Sequence, residues 1–316
     1  MSQQPTLVVF LDASTLPRGL AFEPSAGIDY RAFESTSAAD VAERIADATV
    51  VITNKVKLSA AQLEGAGRLK LVAIAAAGTD NVDLDAAKRL GIDVRNVPDY
   101  GSDSVAEHAI ATLLAVRRQL PVYAAAAVDG RWQASPHFCW TGPSIRDVGG
   151  TTFGVIGRGR IGEAVARLAR GIGMQVLFAE TPGFARKDDE VPLDDLLARC
   201  DAVTLHLPLT PETKGLIGER TLALMKRDAV LVNTGRGALV DAKALADALQ
   251  QGVIAGAAID VLDVEPPPPD HPLLASDIPN LLLTPHVAWA SDNAQARLAQ
   301  RLVDMVISMP SPEGRR

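Results

Sequence analysis

Cysteine, aromatic residues and net positive charge are all scarce in this sequence of 316 residues. Two cysteines, Cys139 and Cys200, are too few for a disulfide framework or a four-thiolate zinc site, and they favour a reducing compartment such as the cytoplasm. Aromatic residues form 4% of the chain and hydrophobic residues 47%, so we expect cores built from Ala, Val, Leu and Ile. The formal net charge of −7 argues against nucleic-acid binding, which needs a basic face.

Long hydrophobic runs are also missing. The apolar run near the N-terminus covers only Leu7–Leu11, and no basic segment precedes it, which argues against an ordinary signal peptide. No uncharged stretch is long enough for a membrane span. We therefore predict a soluble, cytoplasmic protein with no membrane partner. Its length suits two domains better than a single core.

Short β-rich runs alternate with Ala- and Leu-rich amphipathic stretches along nearly the whole chain. This alternation is typical of βαβ units, so it predicts an α/β fold with parallel sheets. Strands are predicted at residues 7–10, 50–53, 70–75, 92–95, 152–156, 175–179, 202–205, 229–233, 254–259 and 281–284. Helices are predicted at 38–47, 59–66, 83–90 and 104–118. The last six strands match a complete dinucleotide-binding sheet.

Residues 119–150 interrupt this alternation and contain most of the tryptophan. Trp132, Phe138 and Trp140 cluster here in a segment rich in proline and glycine. Because aromatic residues are scarce elsewhere, their concentration favours a protein–protein interface. A small satellite core beneath a loop is the alternative, and the residues by themselves leave both open.

A glycine-rich segment with the sequence GRGRIG, Gly157–Gly162, follows one predicted strand and precedes a helical pattern. In this context the first glycine allows a tight turn, the second lets a pyrophosphate approach the backbone, and the third lets the helix pack on the strand. The helix N-terminus offers N–H groups and partial positive charge to phosphates. The segment predicts a dinucleotide-binding loop, with a purely structural turn as the alternative.

An acid at the end of the next predicted strand completes this pattern. Glu180 lies eighteen residues after Gly162. A carboxylate in this position bonds the adenosine ribose hydroxyls and repels a 2′-phosphate, so it favours NAD over NADP. Arg186 and Lys187 lie close by in sequence and would temper that preference.

Three chemically capable side chains each follow a predicted strand of the same sheet: Arg236, Glu265 and His286. Ligands of open α/β sheets bind at the carboxyl ends of the strands. A guanidinium fork matches a carboxylate, and a positioned histidine can transfer protons. A lone histidine is more often structural, but the three residues together predict an active site.

These motifs resemble those of the D-isomer-specific 2-hydroxyacid dehydrogenases over about residues 5–307. The matching stretches are Ala77–Asp83, Ser104–His108, Gly157–Gly162, Leu205–Thr210, Asn233–Gly237, Asp260–Val261, Glu265–Pro266 and Thr284–His286. The resemblance implies two Rossmann-like doubly wound parallel-sheet domains with a cleft between them. The substrate domain would take residues 1–100, completed by 286–316, and the NAD-binding domain residues 101–285. It also places a dimerisation arm at 119–150, which implies a homodimer.

The same resemblance implies NAD-dependent interconversion of a D-2-hydroxy acid and its 2-oxo acid, without a metal. His286 would be the acid/base, Glu265 would orient its imidazole, Arg236 would bind the substrate carboxylate, and Asp260 would accept from the nicotinamide amide. The further substrate contacts implied are Lys55, Ala77, Gly78 and Trp289. The cofactor contacts implied are Val105, Gly157, Arg158, Gly159, Arg160, Ile161, Gly162, Glu180, His206, Leu207, Pro208, Thr213, Thr234, Gly235, Asp260 and His286.

Within the family, the stretches Ile52–Val56, Asp270–Leu273 and Ala290–Ser291 are most similar to D-glycerate dehydrogenases, also called hydroxypyruvate reductases. They predict D-glycerate and hydroxypyruvate as substrates, with glyoxylate reduction as well. A glyoxylate reductase or a phosphoglycerate-dehydrogenase-like enzyme stays open, although Lys55 is the only clear cation for a substrate phosphate. An NAD-sensing corepressor-type binding protein is a further alternative. Gly235 stands where relatives usually carry alanine, which predicts a looser Arg236.

Overall fold

The computed structural model describes residues 5–23 and 27–309, and the chain divides into two compact units. Unit 1 contains the residues up to Gly101 together with those from Ala290 onward, and unit 2 runs from Ser102 to Trp289. The sequence analysis placed the boundaries after residue 100 and before residue 286. Each unit is built on one parallel sheet with helices around it, which confirms the predicted fold class.

Strands and helices alternate through both units. The strands in chain order are β1 (Thr6–Phe10), β2 (Ile28–Ala32), β3 (Val50–Thr53), β4 (Leu71–Ile74), β5 (Asp93–Asn96), β6 (Thr152–Ile156), β7 (Gln175–Ala179), β8 (Glu190–Val191), β9 (Ala202–Leu205), β10 (Val230–Asn233), β11 (Gly256–Ile259) and β12 (Leu281–Leu283). The α-helices are α1 (Val41–Ile45), α2 (Ala60–Gly65), α3 (Leu84–Leu90), α4 (Ser102–Arg117), α5 (Leu120–Val128), α6 (Arg160–Gly171), α7 (Leu193–Arg199), α8 (Glu219–Leu224), α9 (Ala242–Gln250) and α10 (Asp292–Ile307).

Unit 1 contains a five-stranded parallel sheet in the order β2-β1-β3-β4-β5. β3 and β4 are buried along their whole length, as expected for parallel strands covered on both faces. The helices have local start and stop signals: α3 begins at the cap Asp83, whose side chain accepts from the Ala86 N–H, and ends at Gly91 with a φ of 69°. The strand order reverses between β1 and β3, which leaves a crevice at their carboxyl ends.

A buried carboxylate ties the strand ends of unit 1 together at this crevice. Asp12 follows β1, and its Oδ1 accepts from the N–H of Asn54 at 2.9 Å. Its Oδ2 accepts from the N–H groups of Lys55 at 2.6 Å and Val56 at 3.2 Å. Asn81, in the loop after β4, donates its side-chain amide to the Val56 carbonyl at 3.1 Å. These bonds fix the backbone of the loop that carries Lys55.

Unit 2 contains a seven-stranded parallel sheet in the order β12-β11-β10-β9-β6-β7-β8. The chain runs outward from β6 to β8 and then returns to start again at β9, so the switch point lies between β6 and β9. One core packs α4 and α6 against the sheet, with Leu113, Val165 and Phe153 among its members. A second core packs α7, α8 and α9 on the other face, with Leu197 and Leu245 among its members. Both are built mainly from aliphatic side chains, as the composition predicted.

Three elements differ from the sequence predictions. β2 was not predicted because its sequence, Ile28–Ala32, is polar and partly exposed, as edge strands often are. β8 was missed because it contains only the two residues Glu190–Val191. Within residues 119–150, Leu120–Val128 form a regular helix, α5, where no regular element was predicted. Gln119, with a φ of 55°, separates it from α4, and the following run of alanines favours a helix.

Within residues 5–23 and 27–309, none of the helices combines the length and the apolar character needed to cross a membrane.

Candidate active site

The turn between β6 and α6 brings backbone segments so close together that two of its positions cannot carry a side chain. Gly157 has a φ of 97°, and a Cβ on it would lie 2.4 Å from the carbonyl oxygen of His206. A Cβ on Gly162 would lie 2.1 Å from the carbonyl oxygen of Gly157. The N–H of His206 donates to the carbonyl of Ile156 at 2.7 Å, which joins the turn to the end of β9. The two glycines therefore close the loop at the switch point.

Two features of this edge fit the dinucleotide that the motif implies. A Cβ on Gly159, the residue before α6, would meet nothing within 4 Å, so the loop is open where a pyrophosphate would approach the N-terminus of the helix. Arg160 and Ile161 form the start of that helix. The hydroxyl of Thr234, at the end of β10, is buried and has no hydrogen-bond partner among the described residues. It is available to a polar group of the cofactor.

Charged side chains gather where β7 ends. Glu180 is the first residue after the strand, and its Oε2 lies 3.7 Å from Nη1 of Arg186. Arg158 extends from the glycine loop to the same strand, with its Cζ 4.3 Å from the ring centroid of Phe178. Its guanidinium donates to Glu163 Oε1 at 2.6 Å and also to the carboxylate of Asp189.

The loop after β9 is held by internal hydrogen bonds. Thr213 is fully buried, and its hydroxyl donates to the carbonyl of Pro208 at 2.8 Å and accepts from the N–H of Thr210 at 2.8 Å. Leu207 is buried beside it. The imidazole Nε2 of His206 lies 2.9 Å from the hydroxyl of Thr204. Burial lowers the pKa of His206 to about 3, so this ring is neutral near pH 7.

The end of β10 shapes the turn that carries Arg236. Asn233 is fully buried; its Oδ1 accepts from the Gly235 N–H at 3.0 Å, and its Nδ2 donates to the Arg236 carbonyl at 2.9 Å. The Arg236 guanidinium donates to the Gly235 carbonyl at 3.0 Å. A Cβ on Gly235 would lie 3.1 Å from the Leu205 carbonyl oxygen, so glycine gives this turn slightly more room than alanine would.

A second buried carboxylate, Asp260, holds the loop after β12. Its Oδ1 accepts from the Thr284 hydroxyl at 2.5 Å and from the Val287 N–H at 3.0 Å, and its Oδ2 accepts from the Ala288 N–H at 2.9 Å. Nε2 of His108, on α4, lies 3.0 Å from the same Thr284 hydroxyl. Asp260 therefore determines the path of the backbone around residue 286. The predicted bond to a nicotinamide amide would come in addition to these.

His286 and Glu265 are in direct contact. Nδ1 of His286 lies 2.6 Å from Glu265 Oε2, while Glu265 Oε1 accepts from the Leu262 N–H at 2.8 Å. His286 has a φ of 55°, and its N–H donates to the Asp260 carbonyl at 2.8 Å. With Nδ1 engaged by the carboxylate, Nε2 is the nitrogen left to exchange a proton with a substrate. About 28% of the His286 side chain is exposed, so the ring is accessible.

Two further residues named by the sequence analysis border this arrangement in unit 2. Trp289 donates its indole Nε1–H to the carbonyl of His286 at 3.1 Å, which fixes one edge of the indole next to the histidine. Val105 is buried in the first half of α4, and its neighbour Ser104 donates to the carbonyl of Ala288 at 2.7 Å.

The remaining substrate candidates lie in unit 1, at the carboxyl ends of two adjacent strands. Lys55 follows β3, in the loop that Asp12 holds. Ala77 and Gly78 follow β4, and the Ala77 carbonyl accepts from the side chain of Asn96 at 2.5 Å. Parallel pairing of β3 with β4 places both loops at the same edge of the sheet.

Sequence reasoning missed the residues that hold these loops, namely Asp12, Asn233 and Thr284. Each is a polar residue at the end of a strand or just after it. That position was used to find Arg236 and His286, but the sequence analysis gave no role to Asp12, and it named Asn233 and Thr284 only as parts of stretches that resemble the family. Their role depends on which backbone N–H groups come within reach, and only the folded chain shows that.

Comparison with known proteins shows the family to which the chain belongs. The family profile "D-isomer specific 2-hydroxyacid dehydrogenase, NAD binding domain" matches residues 110–288. A glycerate dehydrogenase of Methylorubrum extorquens is 43% identical over 301 residues, covering 95% of this chain and 94% of the relative. A putative 2-hydroxyacid dehydrogenase of Haemophilus influenzae is also 43% identical, over 303 residues that cover 95% and 96% of the two chains.

Solved structures of similar proteins carry both nicotinamide cofactors. D-lactate dehydrogenase from Aquifex aeolicus, complexed with NAD and lactic acid, superposes with a TM-score of 0.77 at 29% identity over 95% of this chain and 94% of that one. An NADPH-dependent glyoxylate/hydroxypyruvate reductase from Sinorhizobium meliloti, in complex with NADP and malonate, gives 0.78 at 30% identity over 96% and 93%.

The neutral imidazole of His206 predicts a pH-dependent contribution to stability. In the unfolded chain its pKa is about 6.5, whereas burial holds it near about 3 in the folded state. The unfolded state therefore binds more protons between these values, and the free energy of unfolding falls as the pH drops below the unfolded value, by at most about 1.4 kcal/mol per pH unit. His206→Gln removes the titrating imidazole, so the variant does not lose this stability at low pH. The free energy of unfolding of wild type should therefore fall by about 2 kcal/mol relative to that of the variant between about pH 7 and about pH 4.5.

Urea unfolding without cofactor, repeated across this pH range, measures the difference. His137→Gln, which replaces an exposed histidine, is the control and should keep the wild-type pH dependence. An equal change in both variants would contradict a role for burial at His206.

Proposed function

This chain belongs to the D-isomer-specific 2-hydroxyacid dehydrogenases and is an NAD-dependent enzyme of that family, and on this premise we propose that it interconverts D-glycerate and hydroxypyruvate. The contact of 2.6 Å between His286 Nδ1 and Glu265 Oε2 is the observation that carries the acid/base chemistry. The similarity to a glycerate dehydrogenase supports the choice of substrate. The same site would reduce glyoxylate, which lacks the hydroxymethyl group.

His286 is the proposed acid/base. Bound NADH supplies the hydride, which goes to the carbonyl carbon of the oxo acid. In the same step, Nε2 of His286 gives a proton to the carbonyl oxygen, and in the oxidation direction it takes that proton back. Glu265 receives the hydrogen bond from Nδ1 and holds the ring, while Leu262 holds Glu265. The pair thus keeps the exchangeable proton on the nitrogen that can reach substrate.

Arg236 is the proposed binder of the substrate carboxylate. Its planar guanidinium can donate two parallel hydrogen bonds to a carboxylate, and Asn233 fixes the backbone from which it extends. Lys55 and the backbone N–H groups at Ala77 and Gly78 complete the proposed substrate contacts. Trp289 would bound the space beyond the carbonyl carbon, because its indole is tied to the His286 carbonyl.

The cofactor contacts belong to the same proposal. The glycine loop and the first turn of α6 would bind the pyrophosphate, and Glu180 the ribose hydroxyls of the adenosine. Thr234, Asp260 and the loop around His206 would line the nicotinamide end. The open position at Gly159 and the unpartnered Thr234 hydroxyl support this arrangement.

NADH oxidation with four oxo acids tests the substrate proposal. We expect the highest kcat/KM with hydroxypyruvate, a lower value with glyoxylate, and the lowest values with pyruvate and phosphohydroxypyruvate. NADPH should be a poorer hydride donor than NADH. A preference for phosphohydroxypyruvate would overturn the glycerate proposal and leave the family chemistry intact.

His286→Asn tests the acid/base role. Asparagine tolerates the left-handed backbone at this position better than alanine, so the variant removes the imidazole with little strain. We expect kcat to fall by roughly 10²- to 10⁴-fold, since a positioned acid contributes that much, while the Kd for NADH stays within about twofold. His137→Asn is the matched control. Near-normal turnover of His286→Asn would exclude this histidine as the proton donor.

Arg236→Lys tests carboxylate recognition, because lysine keeps the charge and loses the fork. We expect KM for hydroxypyruvate to rise by about tenfold or more, with little change in the Kd for NADH. Arg227→Lys, at the amino end of the same strand β10, is the control, since Arg227 is exposed and distant from the carboxyl edge. If only cofactor affinity changes, the assignment to the substrate carboxylate is wrong.

A homodimer formed through residues 119–150 is part of the proposal. In α5 only Ala126 is buried although nearly every side chain is apolar, and Phe138 is 92% exposed. Trp140, in contrast, packs in the chain itself, with its ring 5.4 Å from that of Tyr123. The exposed apolar side chains of α5 and Phe138 support an interface, whereas the contact of Trp140 with Tyr123 is local packing within the segment.

Light scattering measures the oligomeric state. Val128→Ser combined with Phe138→Ser should shift the molecular mass towards that of a monomer, because both side chains are strongly exposed and apolar. Ile307→Ser, on α10, removes an exposed apolar residue elsewhere and should leave the mass unchanged. A monomeric wild type would contradict the dimer.

A cytoplasmic location also stays a proposal, supported by the two cysteines. Both are free thiols, and burial raises the pKa of Cys200 to about 12, so that thiol is unreactive.

A further inference from the structure

The glycine loop carries an arginine whose side chain reaches the adenosine end of the proposed cofactor site. Arg158 lies between Gly157 and Gly159, where the backbone turns, and its guanidinium lies over the ring of Phe178 at 4.3 Å. Phe178 lies on β7, two residues before Glu180, which directly follows the strand. Alternate residues of an extended segment face the same side of the sheet at a spacing of about 7 Å. Arg158 therefore lies on the same side of the strand as the acid expected to bind the ribose.

Two carboxylates hold the guanidinium there. Glu163, on α6, accepts at 2.6 Å, and Asp189, just before β8, accepts from the other side. These bonds raise the pKa of Arg158, with Glu163 the larger cause and Asp189 the second, and Arg158 in turn lowers the pKa of Asp189. The side chain of Asp189 is 65% exposed, so its ion pair competes with water and is easily exchanged.

More cations surround the same strand end. Nη1 of Arg186 lies 3.7 Å from Glu180, and Nζ of Lys187 donates to the Arg158 carbonyl at 3.3 Å. Three cations thus surround the end of β7, where the ribose is proposed to bind, and each of the two arginines is paired with a carboxylate. A 2′-phosphate needs cations that are not already engaged, and arginine is well suited to bind it through two hydrogen bonds.

We propose that Arg158 is a cofactor-specificity residue and that Asp189 restrains it, so that selection against a 2′-phosphate depends on Asp189 as well as on Glu180. With the carboxylate of Asp189 in place, the guanidinium stays paired over Phe178 and the site suits an unphosphorylated ribose. Without it, one side of the guanidinium is released towards a 2′-phosphate. The proposal rests on the adenosine position given above, but it does not depend on the substrate or on the acid/base residues.

Direct binding measurements test it, since they need no turnover. The Kd values of NADH and NADPH are measured by fluorescence titration for wild type, Asp189→Asn and Asp188→Asn. We expect the ratio of Kd(NADPH) to Kd(NADH) to fall on the order of five- to tenfold in Asp189→Asn. Asp188→Asn removes the same charge one residue away, and its ratio should stay within about twofold of wild type. Equal changes in the two variants would mean that the loss of one negative charge near the site, and not the contact with Arg158, causes the effect. This result would overturn the proposal.

A second pair of variants isolates Arg158. In Asp189→Asn, the further change Arg158→Leu should restore the wild-type ratio, because leucine can still cover Phe178 but cannot bind phosphate. If the gain in NADPH affinity persists without Arg158, the 2′-phosphate is bound by Arg186 or Lys187 instead, and the proposal is wrong. If wild type binds NADH tightly but reduces none of the four oxo acids, the substrate proposal fails while this one still stands.

Discussion

The parallel pairing of β10, β11 and β12 is the constraint on which the proposed chemistry depends. Adjacent register places Asn233 opposite Ile259 and Ile259 opposite Leu283, so the three strands end together at one edge. The turns that follow these strands are therefore neighbours, and side chains of one turn can form hydrogen bonds with the backbone of the next. The path of the last turn is held by the side chain of Asp260, the residue that follows the neighbouring strand β11. His286 reaches Glu265 because the turn is held in this way.

Burial separates the carboxylates of this enzyme into two kinds. Asp12 and Asp260 are almost completely buried, and their oxygens accept from several backbone N–H groups that would otherwise be unsatisfied. Such groups are costly to move, and they give the loops a single conformation. Glu163 and Asp189 are exposed and Glu180 is partly exposed, and all three pair with arginine side chains through bonds that solvent weakens. Carboxylates of this second kind are suited to ligand selection, because replacing their arginine partner by a ligand or by water costs little free energy.

Most strands of unit 2 were predictable from sequence because they are short, nearly continuous apolar runs. Parallel strands that helices cover on both faces must be apolar throughout, and β6, β7 and β9 have the predicted bounds. The edge strands β2 and β8 escaped prediction because one side of an edge strand faces solvent and tolerates polar side chains. The helix α5 escaped because a proline and a cluster of aromatics nearby suggested irregular structure, whereas a proline in the first turn is compatible with a helix.

By itself, the sequence determined the fold class, the glycine loop and the family, because each depends on residue types at fixed spacings along the chain. It also placed the three residues of the proposed active site, Arg236, Glu265 and His286, after strands, since parallel sheets place strand ends at one edge. Only the tertiary structure decided which groups hold them: Glu265 on His286, Asp260 on the turn around it, Asn233 beneath Arg236, and two carboxylates on Arg158. These contacts join residues from different strands and loops. A hydrogen bond depends on ångström distances in space, which the linear spacing of residues does not encode.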